Sequence, residues 1–471
     1  MINLLNKLRC KLPHNLAISV ILITSVLSGC ASKIDEQNYL QSMEAFVAET
    51  NVAAQLTGED EINWWQQLHS AQLNQLVNDA LASNYDLKTS QLQMKSALAR
   101  LGAQKAEYLP QGGVNLGAQR TGLADDITRQ SSASVGLNWQ LDLFGRITAL
   151  VDAANASAMS QAEQLRALRI EVVSSVVTGY ISYQGNKQKE QILNLQIIAL
   201  EQSIDVLEAR VQEGIASELD LNRTYAQLSQ QQALLPDVSY AQYRDLSTLA
   251  MLTGRFSGDI TLKDEQTILD KLFTVVLAEP NKAIALRPDI SRALFNFSQA
   301  NSLSVAASKA LLPDVSLDAF VGVLSLGTNT LSNTQQQWQI SPQIEWSLLS
   351  YPALLAQRDA QQYLSEAAYN EYQKVVLGAL NDSELSLRLL SKSIAQKGYA
   401  DQRYSFANKA FMQANAMYQE GQIPYLELLD ARQDVLIAED NAVNAKITSS
   451  LAKVKAYQAF NGRWSYGLKT L

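Results

Sequence analysis

The sequence predicts a mixed fold of long α-helices and membrane β-strands, built as a tandem repeat. Landmarks in the first half of the chain recur in the second half. Each half also has a proline-free stretch long enough for a very long helix, and two segments in which polar and apolar residues alternate. We therefore expect each repeat to contain a long helix, two strands, a very long helix and a further helix.

Composition narrows the class of function. The chain has 471 residues, a formal net charge of -8 and 47 % hydrophobic residues. Nucleic-acid-binding proteins are usually basic, so we expect no nucleic-acid partner. No stretch after residue 30 reaches the ~20 apolar residues that a membrane-spanning helix needs. Any crossing of a bilayer must therefore use strands.

The small number of cysteine and histidine residues argues against an enzyme or a metal site. Once the N-terminal segment described next is removed, Cys30 and His69 are the remaining residues of these two types. They cannot build a His/Cys metal cluster, a disulfide or a Cys–His catalytic pair, although carboxylate chemistry stays open. We predict no catalytic residue, no metal and no cofactor other than a covalent lipid on Cys30.

The N-terminus has the features of a secretion signal. Basic residues precede an apolar run, which ends in small residues and a cysteine: Lys7, Arg9, Lys11, Leu16–Leu27 and Ser28-Gly29-Cys30. This order resembles the bacterial lipoprotein signal, which implies cleavage after residue 29 and lipid on Cys30. Ala31 favours the outer membrane, because the similar inner-membrane retention signal has aspartate there. The alternative is an ordinary signal peptide with an incidental cysteine.

The repeat divides the chain into segments. Matching landmarks lie about 203 residues apart early in the repeat and about 207 later: Asn84–Leu87 with Arg287–Ile290, Leu109–Pro110 with Leu312–Pro313, Leu137–Leu141 with Ile344–Leu348, Gln212–Gly214 with Gln419–Gly421, and Gly254–Arg255 with Gly462–Arg463. The second repeat should therefore have the longer hairpin between its strands. The predicted organisation is a signal peptide (1–29), a lipid-anchored extension (30–70), the first repeat (71–256), a connecting segment (257–278), the second repeat (279–464) and a tail (465–471).

Four segments alternate with the period of a strand. Apolar residues recur at every second position in Val114–Ala118, Val135–Leu143, Val315–Val323 and Trp338–Leu348. Polar residues on one face and aromatics on the other are typical of strands in a membrane barrel, although a soluble antiparallel sheet stays possible. Pro342 lies inside the last segment, where it lacks a backbone donor, so we expect a bulge there.

The predicted helices are longer than most helices of globular proteins. About 65–70 residues in each repeat read as one continuous helix, which gives a length of about 100 Å. Apolar residues from Leu193 to Val211 alternate in steps of four and three, which is coiled-coil spacing. Four strands cannot close a barrel, so two or three copies must combine to give eight or twelve strands.

These residues resemble the TolC family of outer-membrane channel proteins, over residues 60 to 464. The matching landmarks are Trp64-Trp65, Asn84–Leu87, Trp139–Arg146, Arg287–Ile290 and the two glycine-bearing helix ends. The resemblance implies a homotrimer with a 12-stranded β-barrel on an α-helical barrel. The lipoprotein signal and Trp64-Trp65 look like the lipoprotein branch, which implies outer-membrane lipid, a periplasmic adaptor and an inner-membrane transporter of the resistance-nodulation-division class as partners. Tyr351-Pro352 departs from the pattern of Phe144-Gly145-Arg146.

Two helix ends are the candidate functional sites. Four residues near them form the candidate gate: Asp220, Tyr418, Glu427 and Asp430. The simplest interpretation of the acids is that they complement helix dipoles, and Tyr418 can equally be a core residue of the coiled coil. The resemblance implies instead that Tyr418 bonds Asp220, while Glu427 and Asp430 ring the aperture and favour cations. The family arginine is replaced by Ile423, so the closed state should be weaker or differently built.

The same helix ends are the expected docking place for the adaptor. We single out Gly214, Ser217, Gly421 and Pro424, although these residues can also be only helix caps, with Ser217 and Asp220 forming a capping box. The resemblance implies the exit duct of a tripartite efflux pump. The alternatives are a duct for type I protein secretion, a coiled-coil structural lipoprotein without a pore, and an enzyme using the carboxylates of Glu427 and Asp430.

Overall fold

The computed structural model describes residues 63–123, 126–269, 287–326 and 334–460. The predicted signal peptide, Cys30 and most of the N-terminal extension lie outside these residues, as do the last nine residues of the connecting segment (270–278) and the C-terminal tail. Lipidation at Cys30 therefore stays a prediction.

The predicted repeat of helices and strands is confirmed. The helices of the described part are α1 (Ala71–Ser83), α2 (Tyr85–Ala106), α3 (Arg146–Gln212), α4 (Glu218–Leu252), α5 (Pro288–Lys309), α6 (Tyr351–Gln419) and α7 (Tyr425–Phe460). The strands are β1 (Gln111–Leu123), β2 (Asp126–Leu141), β3 (Asp314–Leu326) and β4 (Thr334–Glu345). The order α2-β1-β2-α3-α4 thus recurs as α5-β3-β4-α6-α7.

The four strands form one antiparallel sheet in the order β1-β2-β3-β4. Val114, Val135, Val321 and Trp338 are paired in one row across it, so they share a face. Side chains in the next row, which begins at Asn115, lie on the opposite face because neighbouring residues of a strand alternate. The predicted division into an apolar and a polar face is therefore confirmed.

Two details of the strand prediction were wrong. The pairing of β3 with β4 is continuous from Asp314 to Ser325, with Pro342 opposite Leu317, so there is no bulge. β4 is an edge strand of this sheet, where proline is tolerated because one side of the strand has no partner. β2 and β4 also end earlier than predicted, so Leu143, Trp346 and Leu348 lie beyond them, whereas β1 and β3 extend past the predicted segments.

The two very long helices have the predicted length. α3 has 67 residues and α6 has 69. The predicted seam of α3 is buried at Leu193, Ile197, Leu200, Ile204 and Leu207. These side chains are removed from water because they pack against neighbouring helices. This burial of apolar surface is the main favourable contribution to the free energy of a helix pair of this kind.

Matching side chains of the two repeats make matching contacts with the backbone. Asn84 Nδ2 donates to Leu252 O at 3.0 Å, and Arg287 Nη1 donates to Ala459 O at 3.0 Å. The indole N–H groups of two tryptophans do likewise, Trp139 to Tyr108 O at 2.9 Å and Trp346 to Leu311 O at 3.1 Å. The repeat in the sequence therefore corresponds to a repeat in the geometry.

The helices form a row with two uncovered ends. Near the sheet the packing order is α2-α3-α5-α6, and away from the sheet it is α4-α3-α7-α6. One side of the protomer therefore consists of β1, α2 and α4, and the other of β4 and α6. Neither side is closed by the rest of the described chain.

The largest apolar core lies where α1 meets α3. Trp64 and Trp65 are buried there, and Trp64 stacks on Tyr457 of α7 with ring centroids 4.7 Å apart. Among the helices that the structure describes, none has a stretch long and apolar enough to cross a membrane.

Candidate gate at the helix tips

Two helical hairpins end at the candidate site. The first hairpin is α3 with α4, joined by the first tip (Glu213–Ser217). The second hairpin is α6 with α7, joined by the second tip (Glu420–Pro424). All of the predicted gate and docking residues lie at or beside these two tips.

Each tip turns on a glycine in the left-handed conformation. Gly214 has φ 70° and Gly421 has φ 72°. After each glycine the chain bonds back to the preceding helix, from Ile215 N to Arg210 O and from Gln422 N to Met417 O, both at 2.8 Å. Glycine is needed because a Cβ strains this conformation. Both residues are helix caps in this structure, and their role in docking stays a prediction.

The second helix of each hairpin starts differently. Ser217 Oγ accepts from Leu219 N at 3.0 Å, so Ser217 caps α4. The predicted capping box is wrong, because within the described residues the Asp220 carboxylate does not bond back to Ser217; the Asp220 N–H bonds the backbone oxygen of Ser217 instead. Pro424 immediately precedes α7, and its carbonyl accepts from Glu427 N at 3.2 Å.

Within the protomer, the partner of Tyr418 is Arg210. Arg210 Nη1 donates to Tyr418 Oη at 2.6 Å, and the guanidinium carbon lies 5.2 Å from the centre of the Tyr418 ring. Within the described residues of this protomer Tyr418 does not bond Asp220, and the bond to Asp220 of a neighbouring helix that the resemblance implies stays a prediction. Asp220 is half-buried, and its carboxylate has no hydrogen-bond partner among the described residues.

The two remaining acids of the candidate gate are free in the protomer. Glu427 and Asp430 are exposed, three residues apart on α7, and neither side chain bonds another described residue. They are therefore available to a neighbouring copy or to ions. Across the described part of the chain, no three potential metal ligands lie together in a way that could hold a metal ion.

The contacts of Tyr418 continue into a third and a fourth helix. The Tyr418 ring meets the Tyr425 ring edge-on at 5.4 Å, and Tyr425 Oη lies 3.1 Å from Thr224 Oγ1. Thr224 is fully buried, and burial raises the pKa of Tyr425. Sequence reasoning missed Arg210, Tyr425 and Thr224. A basic residue in the last turn of a helix usually only complements the dipole, so nothing local distinguishes Arg210.

A second set of contacts joins the hairpins farther from the tips. Arg432 of α7 donates to Ser203 Oγ of α3 at 2.6 Å and lies over the Phe411 ring. Burial lowers the pKa of Arg432. Gln196 Nε2 donates to Glu439 Oε2 at 2.9 Å in the same interface. The two hairpins are therefore held together at several levels.

Comparison with known proteins identifies the family. The family described as outer membrane efflux protein matches residues 76–255 and 280–461. The chain is 26 % identical over 421 residues to the probable efflux pump outer membrane protein TtgC of Pseudomonas putida, covering 86 % of each chain. It is 23 % identical to the pyoverdine export outer membrane protein OpmQ of Pseudomonas aeruginosa, covering 95 % of this chain and 96 % of the relative.

Solved structures share the fold. The outer-membrane channel OprN superimposes with a TM-score of 0.81 at 24 % identity, covering 86 % of this chain and 93 % of that one. The Campylobacter jejuni CmeC outer membrane channel gives 0.78 at 21 % identity, covering 88 % and 90 %. The TolC-type fold expected from the sequence is thus confirmed, and the chain belongs to the outer membrane efflux protein family.

Proposed function

We propose that the chain forms a trimeric outer-membrane channel, which serves as the exit duct of a tripartite efflux pump. The observation that supports this proposal best is the pair of free sides on the protomer. β1 and β4 are both edge strands, and the helix row is open on the same two sides. Exposed strand edges attract further strands, and another copy of the chain supplies matching ones.

We propose three copies rather than two, as the resemblance to the TolC family implies. Three protomers give twelve strands, whereas two give eight, and a barrel of about eight strands is filled by its own side chains. Twelve strands leave a wider interior for solutes. The helices of three copies would continue below as a tunnel of about 100 Å, the length of α3 and α6.

The two faces of the sheet suit the inside and outside of such a barrel. In the isolated protomer Val114 and Trp338 are 70 % and 75 % exposed on the apolar face. Lipid would cover them in the outer membrane. On the polar face Asn138 Nδ2 donates to Asp318 Oδ1 at 2.6 Å, and a water-filled interior tolerates this pair.

The relatives indicate the kind of cargo and machine. Their names include a toluene efflux pump, an antibiotic efflux pump and pyoverdine export. We therefore propose small molecules as cargo, and a periplasmic adaptor and an inner-membrane transporter of the resistance-nodulation-division class as partners. Lipid on Cys30 would add an anchor in the outer membrane. A type I protein-secretion duct is the alternative, since the channel would be similar.

We propose that the closed constriction of the channel lies at the tips. Asp220, Tyr418, Glu427 and Asp430 would line it in the trimer, with Gly214, Ser217, Gly421 and Pro424 exposed to the adaptor. The support is that the three acids have no side-chain bond within the described protomer, so their carboxylates are free to face the aperture. A ring of carboxylates at a constriction favours cations.

Conductance in a planar lipid bilayer tests this proposal. We expect the purified wild-type protein to give small cation-selective steps. Glu427→Ala combined with Asp430→Ala should reduce the cation selectivity, because six carboxylates would leave the aperture of a trimer. Asp440→Ala, an exposed acid on α7 far from the tip, is the control and should change nothing. A wild type without conductance would contradict the channel, and unchanged selectivity would contradict the acidic ring.

A further inference from the structure

We propose that Arg210 fastens the two hairpins of each protomer to one another at the tips, and that this fastening exists within a protomer but not between protomers. The proposal rests on the proposed function, since it names the residue that holds the mouth of the duct in its resting state. It concerns four residues, Arg210, Tyr418, Tyr425 and Thr224, which we call the clasp.

The clasp takes one residue from each helix at the tips. Arg210 belongs to α3, Tyr418 to α6, Tyr425 to α7 and Thr224 to α4. The contacts run in that order: a charged hydrogen bond of 2.6 Å, an edge-on ring contact of 5.4 Å and a hydroxyl pair at 3.1 Å. A displacement of one hairpin relative to the other would separate at least one of these contacts.

The first contact is the strongest of the three. The donor is a guanidinium, which is always charged, and hydrogen bonds with a charged partner are stronger than those between neutral groups. The guanidinium also lies over the Tyr418 ring, so its position is fixed by two contacts with one side chain. Arg210 therefore contributes most to holding Tyr418, while Tyr425 and Thr224 extend the contact.

The four clasp residues are not repeated at the matching positions of the other half of the chain. The tips align Gln212 with Gln419 and Gly214 with Gly421, and this alignment gives the counterpart of each clasp residue. The counterparts of Arg210, Tyr418, Tyr425 and Thr224 are Met417, Val211, Glu218 and Ala431. Methionine, valine and alanine cannot form the same polar contacts. Pairing α6 with α4 of a neighbouring copy would bring these counterparts together, so that interface has no clasp.

Other contacts limit how far the tips move when the clasp is broken. Arg432 still joins α7 to Ser203, which precedes Arg210 by seven positions, or about 10 Å of helix. Loss of the clasp should thus free only the last two turns of each hairpin. We expect a wider mouth with an intact tunnel above it.

Single-channel recording of the full-length trimer tests the role of Arg210. We expect Arg210→Met to raise the open probability by about tenfold, and Tyr418→Phe to act in the same direction because it removes the acceptor oxygen. The double variant should add little to either single change, since both remove one bond. Arg223→Gln is the matched control. It removes the same charge beside the same tip, but Arg223 is exposed and has no partner among the described residues.

A distance measurement gives a second result that does not depend on conductance. Spin labels on Ile215→Cys and Gln422→Cys report the separation of the two tips, and both positions are surface residues of the described structure. Labelled copies are diluted with unlabelled copies so that each trimer carries one pair. Arg210→Met should lengthen or broaden the distance distribution, and Arg223→Gln should leave it as in the wild type.

The two measurements separate the possible failures. If Arg210→Met gives the same open probability and the same tip distance as Arg223→Gln, the clasp proposal is wrong, although the proposal of a channel is not affected. If no variant and no wild type conducts, but Arg210→Met still separates the tips, the channel is wrong and the clasp stands. If Arg210→Met separates the tips without raising the open probability, Arg210 joins the hairpins but does not hold the mouth, which overturns the proposal.

Discussion

At the scale of single residues, the two very long helices begin with different chemistry. The Asp142 carboxylate accepts hydrogen bonds from the N–H groups of Ile147 and Thr148, at 2.9 and 2.8 Å, in the first turn of α3. In α6 the corresponding turn contains Pro352, which has no N–H and so leaves one donor fewer to satisfy. Both helices therefore reduce the number of unsatisfied N–H groups in their first turn, α3 with a carboxylate acceptor and α6 with a proline.

A buried carboxylate on α4, that of Asp245, makes the folded state less stable when it is charged. Asp245 is 7 % exposed and accepts from Asn186 Nδ2 at 2.8 Å. Burial raises the pKa of Asp245 above its usual 3.8, so the folded protein binds this proton more readily than the unfolded chain does. The folded state is therefore stabilised as the pH falls through the raised pKa, and loses that stabilisation as the pH rises.

Asp245→Asn should accordingly raise the unfolding midpoint in denaturant at neutral pH. Asparagine keeps an acceptor oxygen for Asn186 and has no charge to bury. Below the usual pKa of aspartate the two proteins should differ little, because Asp245 is then protonated in both states. Asp237→Asn, an exposed acid on α4, is the control and should be neutral throughout. A larger effect of Asp245→Asn in acid than at neutral pH would contradict this reasoning.

The resemblance indicated Tyr418 but not Arg210, its partner within the protomer. Arg210 and Tyr418 are 208 positions apart, and no local pattern connects residues so distant. Asp220 was implied as the partner by analogy with proteins that have an arginine where this chain has Ile423. In this protomer Arg210 donates to the hydroxyl of Tyr418, and only the folded arrangement of the hairpins brings these two residues together.

At the scale of elements, α3 and α7 approach closely at a glycine. A Cβ on Gly185 would lie 2.5 Å from Cδ1 of Ile447, so a larger residue there forces the isoleucine to move. Gly185 thus sets the spacing between the first and second hairpins. Gly398, inside α6, has no atom within 4 Å of such a Cβ.

Alanine at these two glycines should have different effects on thermal unfolding. Gly398→Ala should stabilise by about 0.5–1 kcal/mol, because alanine restricts the unfolded chain and favours a helix. Gly185→Ala should be less stable than Gly398→Ala by about 1–3 kcal/mol, the usual cost of overpacking a core. Equal stabilisation by both would show that Ile447 moves freely and that Gly185 does not set the spacing.

Neighbouring residues of β3 give a direct test of the two sheet faces. Val321 lies on the apolar face and Phe320 on the polar face. Val321→Arg should weaken folding into lipid vesicles by about 2–4 kcal/mol, because arginine is costly on the lipid side of a barrel. Phe320→Arg should cost much less, since its side chain would meet water. Similar effects at both positions would contradict the assignment of inside and outside.

The elements themselves were predictable because their signals are local. Proline-free stretches and seam spacing predicted α3 and α6, and alternation predicted four strands. The bulge at Pro342 was not found, because the consequence of a proline depends on whether its strand lies at an edge, which a single segment does not reveal. The ends of β2 and β4 were placed too late because the alternation continues by chance to Leu143 and Leu348 in the following turns.

At the scale of the whole molecule, the protomer has two uncovered sides that the proposed trimer would close. Its sheet and its helix row end on the same two sides. The periodicity within one chain contains no information about how many copies close the ring, so the residues alone allowed two or three. The number three came from the resemblance to a family, and it remains a proposal for this chain.

The free strand edges also have a consequence for genetics. A copy with one damaged edge still joins its neighbours through the intact edge, but the ring that contains it cannot close. If the chain forms the proposed trimer and damaged and intact copies are made in equal amounts, only about one trimer in eight would have three intact members. Alleles that damage β1 or β4 should therefore be dominant, whereas alleles that abolish synthesis should be recessive. The phenotype of a bacterial strain that carries both the damaged and the intact gene would thus distinguish an edge defect from simple loss of the protein.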